Sequence, residues 1–238
     1  MLPELEALLT LQRHDLEILE ARRKLDEIPG RRAALEAALD GARAARDEAK
    51  KGLEQVRLER RALEKEVEGI QAESAKLERQ LLDVKTNQEY QAMLHQIAAL
   101  KTKRSDVETR ILESYDREDL TQRALGDAEK RVQAEEARLR EGQEALAKEH
   151  ARLEQAIHSV TQDRDSVKPS IPPTLLSRYD RVARLRDGVG VAEIRKGACG
   201  ACFRGLTPQA LQEARRSDSI QTCESCGRIL VWTEAGSS

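Results

Sequence analysis

Aromatic side chains are nearly absent from this chain, which has one Trp, one Phe and three Tyr among 238 residues. Aromatics dominate globular cores, so their scarcity argues against one large globular enzyme. Long apolar runs are missing as well. No segment approaches the roughly 18 apolar residues needed to span a bilayer. The first twenty residues carry Glu4, Glu6, Asp15 and Glu17 and lack the basic start, apolar centre and cleavage site of a signal peptide. The expectation is a cytoplasmic protein with no membrane partner. The four histidines, His14, His95, His150 and His158, are scattered, and no P-loop, Gly-rich dinucleotide loop or nucleophile–base set occurs. The reading is therefore a non-enzyme with no small-molecule substrate and no catalytic residue.

What is present is charge, at 35% of residues, in an Ala/Leu/Glu/Arg/Lys-rich mixture suited to long helices. From Leu35 onward apolar residues recur at alternating spacings of four and three. One row runs Leu35, Ala42, Ala49, Val56, Leu63, Ile70, Leu77 and Val84, and its partner runs Leu39, Arg46, Leu53, Arg60, Val67, Ser74 and Leu81. Such a heptad seam predicts a left-handed coiled coil. Arg46, Arg60 and Ser74 interrupt it. They either fix register as polar intrusions or lie along the seam with their heads in water. A second seam follows at Tyr90, Ile97, Arg104, Ile111, Glu118, Leu125, Val132, Leu139, Leu146, Leu153 and Val160, with a companion row from Met93, Leu100, Val107 and Ser114 that decays to small and polar side chains toward Glu149 and Ala156.

Between the seams, Thr86 and Glu89 have the spacing of a capping box, in which the Thr hydroxyl accepts from the Glu89 N–H and the Glu carboxylate reaches back to the Thr86 N–H. A new helix starts there. Two arms of matching length then predict an antiparallel hairpin over residues 1–167, turning near 83–86. The competing arrangement is a continuous rod dimerising in parallel, since no Gly or Pro marks the turn. Pro29 removes a helical hydrogen bond and clashes with the preceding turn, which predicts a kink or break near Ile28.

Lys168-Pro169-Ser170-Ile171-Pro172-Pro173 ends the second arm and opens a joint over residues 168–188, including a short amphipathic helix from Thr174 to Arg186 stopped by Gly188. Residues 189–234 form the last module, with strands expected at Val189–Ile194 and Ile229–Trp232. All four cysteines of the chain lie here as two Cys-x-x-Cys knuckles, Cys199/Cys202 and Cys223/Cys226, twenty residues apart. That arrangement predicts one tetrahedral Zn²⁺ site of the Cys₄ type. Disulfides or a redox pair are the alternative, and duplicated knuckles in an intracellular composition argue against them. Four cysteine ligands leave no coordination position open, so the metal is read as structural. Gly200 and Gly227 supply backbone freedom for the knuckle turns, and Thr207-Pro208 reads as an N-cap and first helical residue. The fold class is thus mostly α: a long antiparallel coiled-coil hairpin, kinked near Pro29, plus a small C-terminal Cys₄ zinc ribbon.

At these residues the chain resembles a known family. Val84-Lys85-Thr86-Asn87-Gln88-Glu89-Tyr90-Gln91-Ala92 between the seams, Leu175-Leu176 with Tyr179, Cys199-Gly-Ala-Cys202, Leu206-Thr-Pro-Gln209 and Cys223-Glu-Ser-Cys226-Gly-Arg-Ile-Leu-Val-Trp232 are similar to the bacterial coiled-coil proteins with a C-terminal C4-type zinc ribbon. The resemblance implies a helical hairpin joined to a ribbon. It further implies a regulator that binds an alternative sigma factor and RNA.

Residues 168–234 hold 11 Lys/Arg against 7 Asp/Glu in a chain of net charge −2, which points to an anionic partner for the module. Candidate nucleic-acid contacts are Arg195, Lys196, Phe203, Arg204, Arg215, Arg216 and Arg228, with Phe203 placed to stack on a base. Against that stands an ordinary solvated surface for the arginines, and for Phe203 and Trp232 a role in covering the metal site. The functional reading is a non-enzymatic zinc-binding adaptor whose ribbon binds RNA or a transcription-related protein and whose arm is a protein-binding scaffold. The alternative is a chaperone or scaffold for a secretion or flagellar export complex, with no nucleic-acid binding. Lys85, Asn87 and Tyr90 are then the contacts at the hairpin tip, although Tyr90 also reads as the first seam residue of its helix.

Overall fold

The computed structural model describes residues 2–216 and 219–233. Two long helices dominate, α1 (Pro3–Leu81) and α2 (Asn87–Val167). A 3₁₀ turn at Lys168–Ser170 and α3 (Pro173–Leu185) follow, then β1 (Val191–Arg195), β2 (Ala198–Cys199), α4 (Pro208–Arg216), β3 (Gln221–Thr222) and β4 (Ile229–Val231). The contacts divide the chain into two compact units, one made of residues 1–32 with 143–238 and the other of residues 33–142. Helix α2 ends at Val167 and residue 188 lies between α3 and β1, whereas compactness groups both helix ends with the ribbon.

Unit 33–142 is an antiparallel pair. Cross-helix ion pairs Arg43–Glu136 at 2.9 Å, Arg117–Glu59 at 3.2 Å and Lys103–Glu66 at 3.1 Å run in opposite chain directions, which excludes the parallel rod. The predicted seam is the buried seam: Leu63, Val67 and Ile70 of α1 pack with Val107 of α2, flanked by Leu100 and Ile111. Ser114, a seam position in the heptad reading, is fully buried and donates to the Ile111 carbonyl at 2.6 Å. Arg60 does not send its head into water. It pairs with Glu118, lies over the Tyr115 ring at 4.6 Å and reaches Glu64 at 3.3 Å, while Arg57 donates to Glu118 at 2.7 Å. The seam therefore contains a charged layer in place of an apolar one.

The turn closes at the expected place. Glu89 N–H donates to the Thr86 hydroxyl at 3.3 Å, but the Glu89 carboxylate accepts a hydrogen bond from that hydroxyl at 2.7 Å rather than from the backbone N–H of Thr86. Of the kink or break anticipated near Ile28, the break does not occur: α1 is helical straight through Pro29. A proline costs a helix one hydrogen bond and a local clash, and in a helix of 79 residues the packed turns on either side absorb that loss.

In the other unit, β1 and β4 pair in parallel at the centre of a four-stranded sheet of order β2-β1-β4-β3, with β2 and β3 antiparallel on the edges. The alternation along β1 and β4 divides two cores. Val191, Ile229 and Val231 join Leu5, Leu8 and Leu11 of α1 with Ile171, Leu175 and Tyr179, while Ala192, Ile194 and Leu230 join the cysteines and Ala214. Both sheet faces are covered, the setting in which parallel pairing and an unbroken Ile-Leu-Val run are stable. The α1 contribution was not anticipated. Gln12 docks its side-chain amide on β1 like a neighbouring strand, its oxygen accepting from Val191 N–H at 2.7 Å and its nitrogen donating to Val191 C=O at 3.0 Å. Tyr179 and Arg164 both hydrogen-bond Asp15, tying α1, α2 and α3 together. Gly190 admits the Tyr179 ring, which a Cβ there would meet at 2.5 Å.

Two outcomes follow for the hairpin. Leu63→Ala should lower stability by about 2–3 kcal/mol in urea denaturation followed by far-UV circular dichroism, whereas Leu112→Ala, on the exposed face, should change it by less than about 0.5 kcal/mol. The hydrogen bond from Arg57, opposed by partial burial and aided by the Arg60 and Arg57 charges, holds the Glu118 carboxyl below its ordinary value of 4.5. A carboxyl lowered in the folded state stabilises above its unfolded pKa and loses that contribution as pH falls through the folded value. Stability should therefore decline from about pH 4.5 downward, and Glu118→Gln should flatten that limb.

Candidate metal centre and binding surfaces

Each knuckle is a tight turn made by the same bonds. Phe203 N–H donates to Cys199 C=O and Gly227 N–H to Cys223 C=O, both at 2.8 Å, and the first cysteine of each knuckle donates its N–H to the residue five further on, Arg204 or Arg228. The turn needs a left-handed residue directly after its second cysteine, and Gly227 supplies it at φ +79°. In the first knuckle that position is Phe203, at φ +61°. Gly200 serves differently from expectation. A Cβ there would meet the Glu193 carbonyl oxygen at 2.6 Å, so glycine is required for close approach to β1, whose carbonyl accepts from Gly200 N–H at 2.8 Å.

The turns bring four sulfur atoms within 4.8 Å of one another. Cys199 Sγ lies 3.9 Å from Cys226 Sγ, and Cys202 Sγ lies 3.7 Å from Cys223 Sγ. A tetrahedron with Zn–S bonds of about 2.3 Å has edges of about 3.8 Å, so the spacing fits one Zn²⁺ held by all four cysteines. The thiols are unpaired by disulfides. Burial pushes Cys199 up to about 12 and raises Cys223. Burial also opposes ionisation at Cys226, but the Arg228 backbone N–H and guanidinium, with the neighbouring Cys202 and Cys223, outweigh it and bring that thiol to about 7. A divalent cation among them is what makes all four thiolates stable at neutral pH. With four sulfur ligands the coordination sphere is closed and the metal's role is structural.

The other candidate residues separate into groups. Lys196, Phe203 and Arg204 are all exposed at the first knuckle, where the β1–β2 turn and the loop to Gly205 are joined by the Ala198–Gly205 bridge and by Leu206 N–H donating to Gly197 C=O. Phe203 does not cover the metal, since 80% of it is accessible to solvent. Trp232 does pack against the metal-side core. Arg195 pairs with Glu193 at 3.1 Å on the surface. Arg215 and Arg216 lie in the last turn of α4, the first of them over the Trp232 ring at 5.7 Å. Arg228 is committed to the fold: its Nε donates to Val189 C=O at 2.9 Å and its Nη2 to Arg186 C=O at 3.4 Å, which removes it from the candidate nucleic-acid contacts.

Lys85, Asn87 and Tyr90 belong to the other compact unit, at the hairpin turn. Tyr90 is 41% exposed and is not buried as a seam residue. Leu82, 85% exposed in the turn, was missed as a candidate. It lies between the seam residues Leu81 and Val84, so the heptad pattern itself placed it outside.

Removing the metal should unfold the ribbon and leave most of the helix. Zn²⁺ binding by such sites contributes about 10–16 kcal/mol in finger peptides at neutral pH. Chelation, or Cys223→Ser, should abolish the single zinc seen by atomic absorption and open Arg195, Lys196 and Arg204 to trypsin, with most of the far-UV helical signal retained.

Residues 11–187 match the family described as the CT398-like coiled coil hairpin domain, and residues 198–230 match the C4-type zinc ribbon domain. The chain is similar to CT398 from Chlamydia trachomatis, with a TM-score of 0.78 at 23% identity, covering 97% of this chain and 98% of that one. It is also similar to the HP0958 protein from Helicobacter pylori, with a TM-score of 0.61 at 18% identity, covering 96% and 97%. Uncharacterized proteins from two strains of Mycobacterium tuberculosis are each 28% identical over 142 residues, a match spanning 59% of this chain and 58% of theirs. No helix of the described residues is long and apolar enough to cross a membrane. A heptad hairpin whose ends are packed with a closed Cys₄ ribbon is a coiled-coil scaffold, and the chain belongs to the CT398-like coiled-coil hairpin family.

Proposed function

We propose that this protein is a non-enzymatic, cytoplasmic adaptor whose ribbon binds single-stranded RNA at the first knuckle while its hairpin holds a protein partner. Phe203 carries the reading. The second knuckle uses glycine at the equivalent left-handed position, and a non-glycine residue there costs roughly 1 kcal/mol or more. Nothing in the core repays that cost, because the ring is exposed. A strained, solvent-facing aromatic flanked by Lys196 and Arg204 suits a base-stacking platform beside phosphate-binding cations. Arg195, Arg215 and Arg216 extend the cationic surface.

A second reading concerns the hairpin turn, where Leu82 and Tyr90 expose apolar surface beside Lys85 and Asn87. Such a patch suits a protein client, either an alternative sigma factor or a component of a secretion or flagellar export complex.

Phe203→Gly tests the first reading, because stability and binding should move in opposite directions. Glycine relieves the left-handed strain and should raise ribbon stability by about 1 kcal/mol. Loss of the stacking ring should weaken binding of a uridine-rich oligoribonucleotide by about 1–3 kcal/mol in anisotropy titrations. For the wild-type chain log K should fall with log salt at a slope of about −0.7 per phosphate neutralised. Unchanged RNA affinity in the glycine variant, or no RNA binding at low salt, would remove the proposal.

A further inference from the structure

One face of α3 has no role in the fold. Leu175 and Tyr179 bury one side of this helix, while Arg178, Arg181, Val182 and Leu185, at helical spacings of three, four and seven, line an open recess of about 280 Å³ beside the second knuckle, with Arg186 and Thr222 completing its wall. Arg178 and Arg181 are exposed and have no ion pair or hydrogen bond among the described residues. Arg186 is held in place, its Nε donating to the Cys226 carbonyl at 3.3 Å and its own carbonyl accepting from Arg228. Among the described residues the recess is lined by no carboxylate. The two acids of the same stretch, Asp180 and Asp187, line a different recess with Asp15. Leu185 lies among these guanidiniums with 76% of its surface open.

Arg178, Arg181 and Arg186 face no carboxylate among the described residues, although the metal ligand Cys226 also lines the recess, and such a cationic cluster favours and steers an anionic partner. The exposed leucine and the half-buried Val182 decide between anionic classes. A phosphate backbone offers nothing apolar to cover them, whereas an acidic peptide carrying one apolar side chain satisfies both the rim and the floor. Planar guanidiniums also match carboxylates two hydrogen bonds at a time. From this geometry we infer that the α3 face beside the second knuckle is a docking site for an acidic protein segment anchored by an apolar side chain. The site uses none of the residues assigned to RNA, so it stands or falls separately from that reading.

The test uses the full zinc-loaded chain and short fluorescent peptides in anisotropy titrations. One peptide is rich in Glu and Asp around a central leucine. A second replaces that leucine with serine, a third exchanges all acids for lysine, and a uridine-rich oligoribonucleotide is titrated alongside. The proteins are wild type, Arg178→Glu/Arg181→Glu and Leu185→Ser, each checked for zinc content and thermal unfolding, which substitutions on an exposed face should leave unchanged. The expected result is that the lysine peptide does not bind and the acidic leucine peptide binds most tightly of the peptides. Its affinity should fall about ten-fold or more in the double arginine variant and several-fold in Leu185→Ser, and several-fold for the serine peptide. Absence of binding up to about 1 mM overturns the inference. So does equal binding to wild type and variants, or equal binding of the leucine and serine peptides. RNA binding lost in the α3 variants without peptide binding would make the face a nucleic-acid surface and also overturn it.

Discussion

Four thiolates within 4.8 Å of one another repel strongly unless a cation lies among them, and the C-terminal module is arranged around that requirement. Its metal-side core consists of Ala192, Ile194, Ala214 and Leu230 with the cysteines, too little apolar surface to fix two hairpin turns without help. The metal therefore carries the folding free energy that a larger core would supply elsewhere. What the closed site provides is rigidity. It holds both knuckles, the β1–β2 turn and the start of β4 in fixed relation, so the exposed residues beside them are presented without a large entropic cost on binding.

The ribbon is not an appendage tied on by a linker. Leu5, Leu8 and Leu11 of α1 pack with Ile171, Leu175 and Tyr179 against Val191, Ile229 and Val231, and Gln12 satisfies the Val191 peptide as a neighbouring strand would. The parallel pair β1–β4 lies between this core and the metal. Burial on both faces explains why three consecutive apolar residues, Ile229 to Val231, occur where a surface ribbon strand would alternate. Asp15, receiving hydrogen bonds from Tyr179 and Arg164, satisfies the polar groups where three helices meet. Burial and the Asp15 charge both raise the Tyr179 phenol, which keeps it a hydrogen-bond donor throughout the physiological range.

In the hairpin unit the departure from an all-apolar seam is as informative as the seam. Arg57 and Arg60 meet Glu118, with Tyr115 under the Arg60 guanidinium. A charged residue from one helix opposite another of the same sign, or opposite leucine, would be left unpaired at a partly buried position, so this layer penalises sliding by a heptad more than an apolar layer would. Ser114 fits beside it because its hydroxyl turns back to its own helix.

Heptad spacing, the three prolines after Val167 and the paired Cys-x-x-Cys turns determined much of this protein by themselves: two long helices, where they reverse, where they end, and which side chains hold zinc. These are local or periodic properties, and a residue's neighbours in a helix or knuckle are its neighbours in sequence. At Pro29 the helix runs on unbroken, since a penalty of one turn is small against the packing of a long helix. Tertiary structure decided what periodicity does not encode. It brought the first turns of α1 against the ribbon sheet, committed Arg228 to backbone carbonyls and turned Phe203 outward while Trp232 packed inward. It also left Tyr90 exposed and the arginines of α3 facing a recess. Each of these depends on which surfaces from distant parts of the chain meet, and that is set by burial and hydrogen-bond satisfaction across the whole unit.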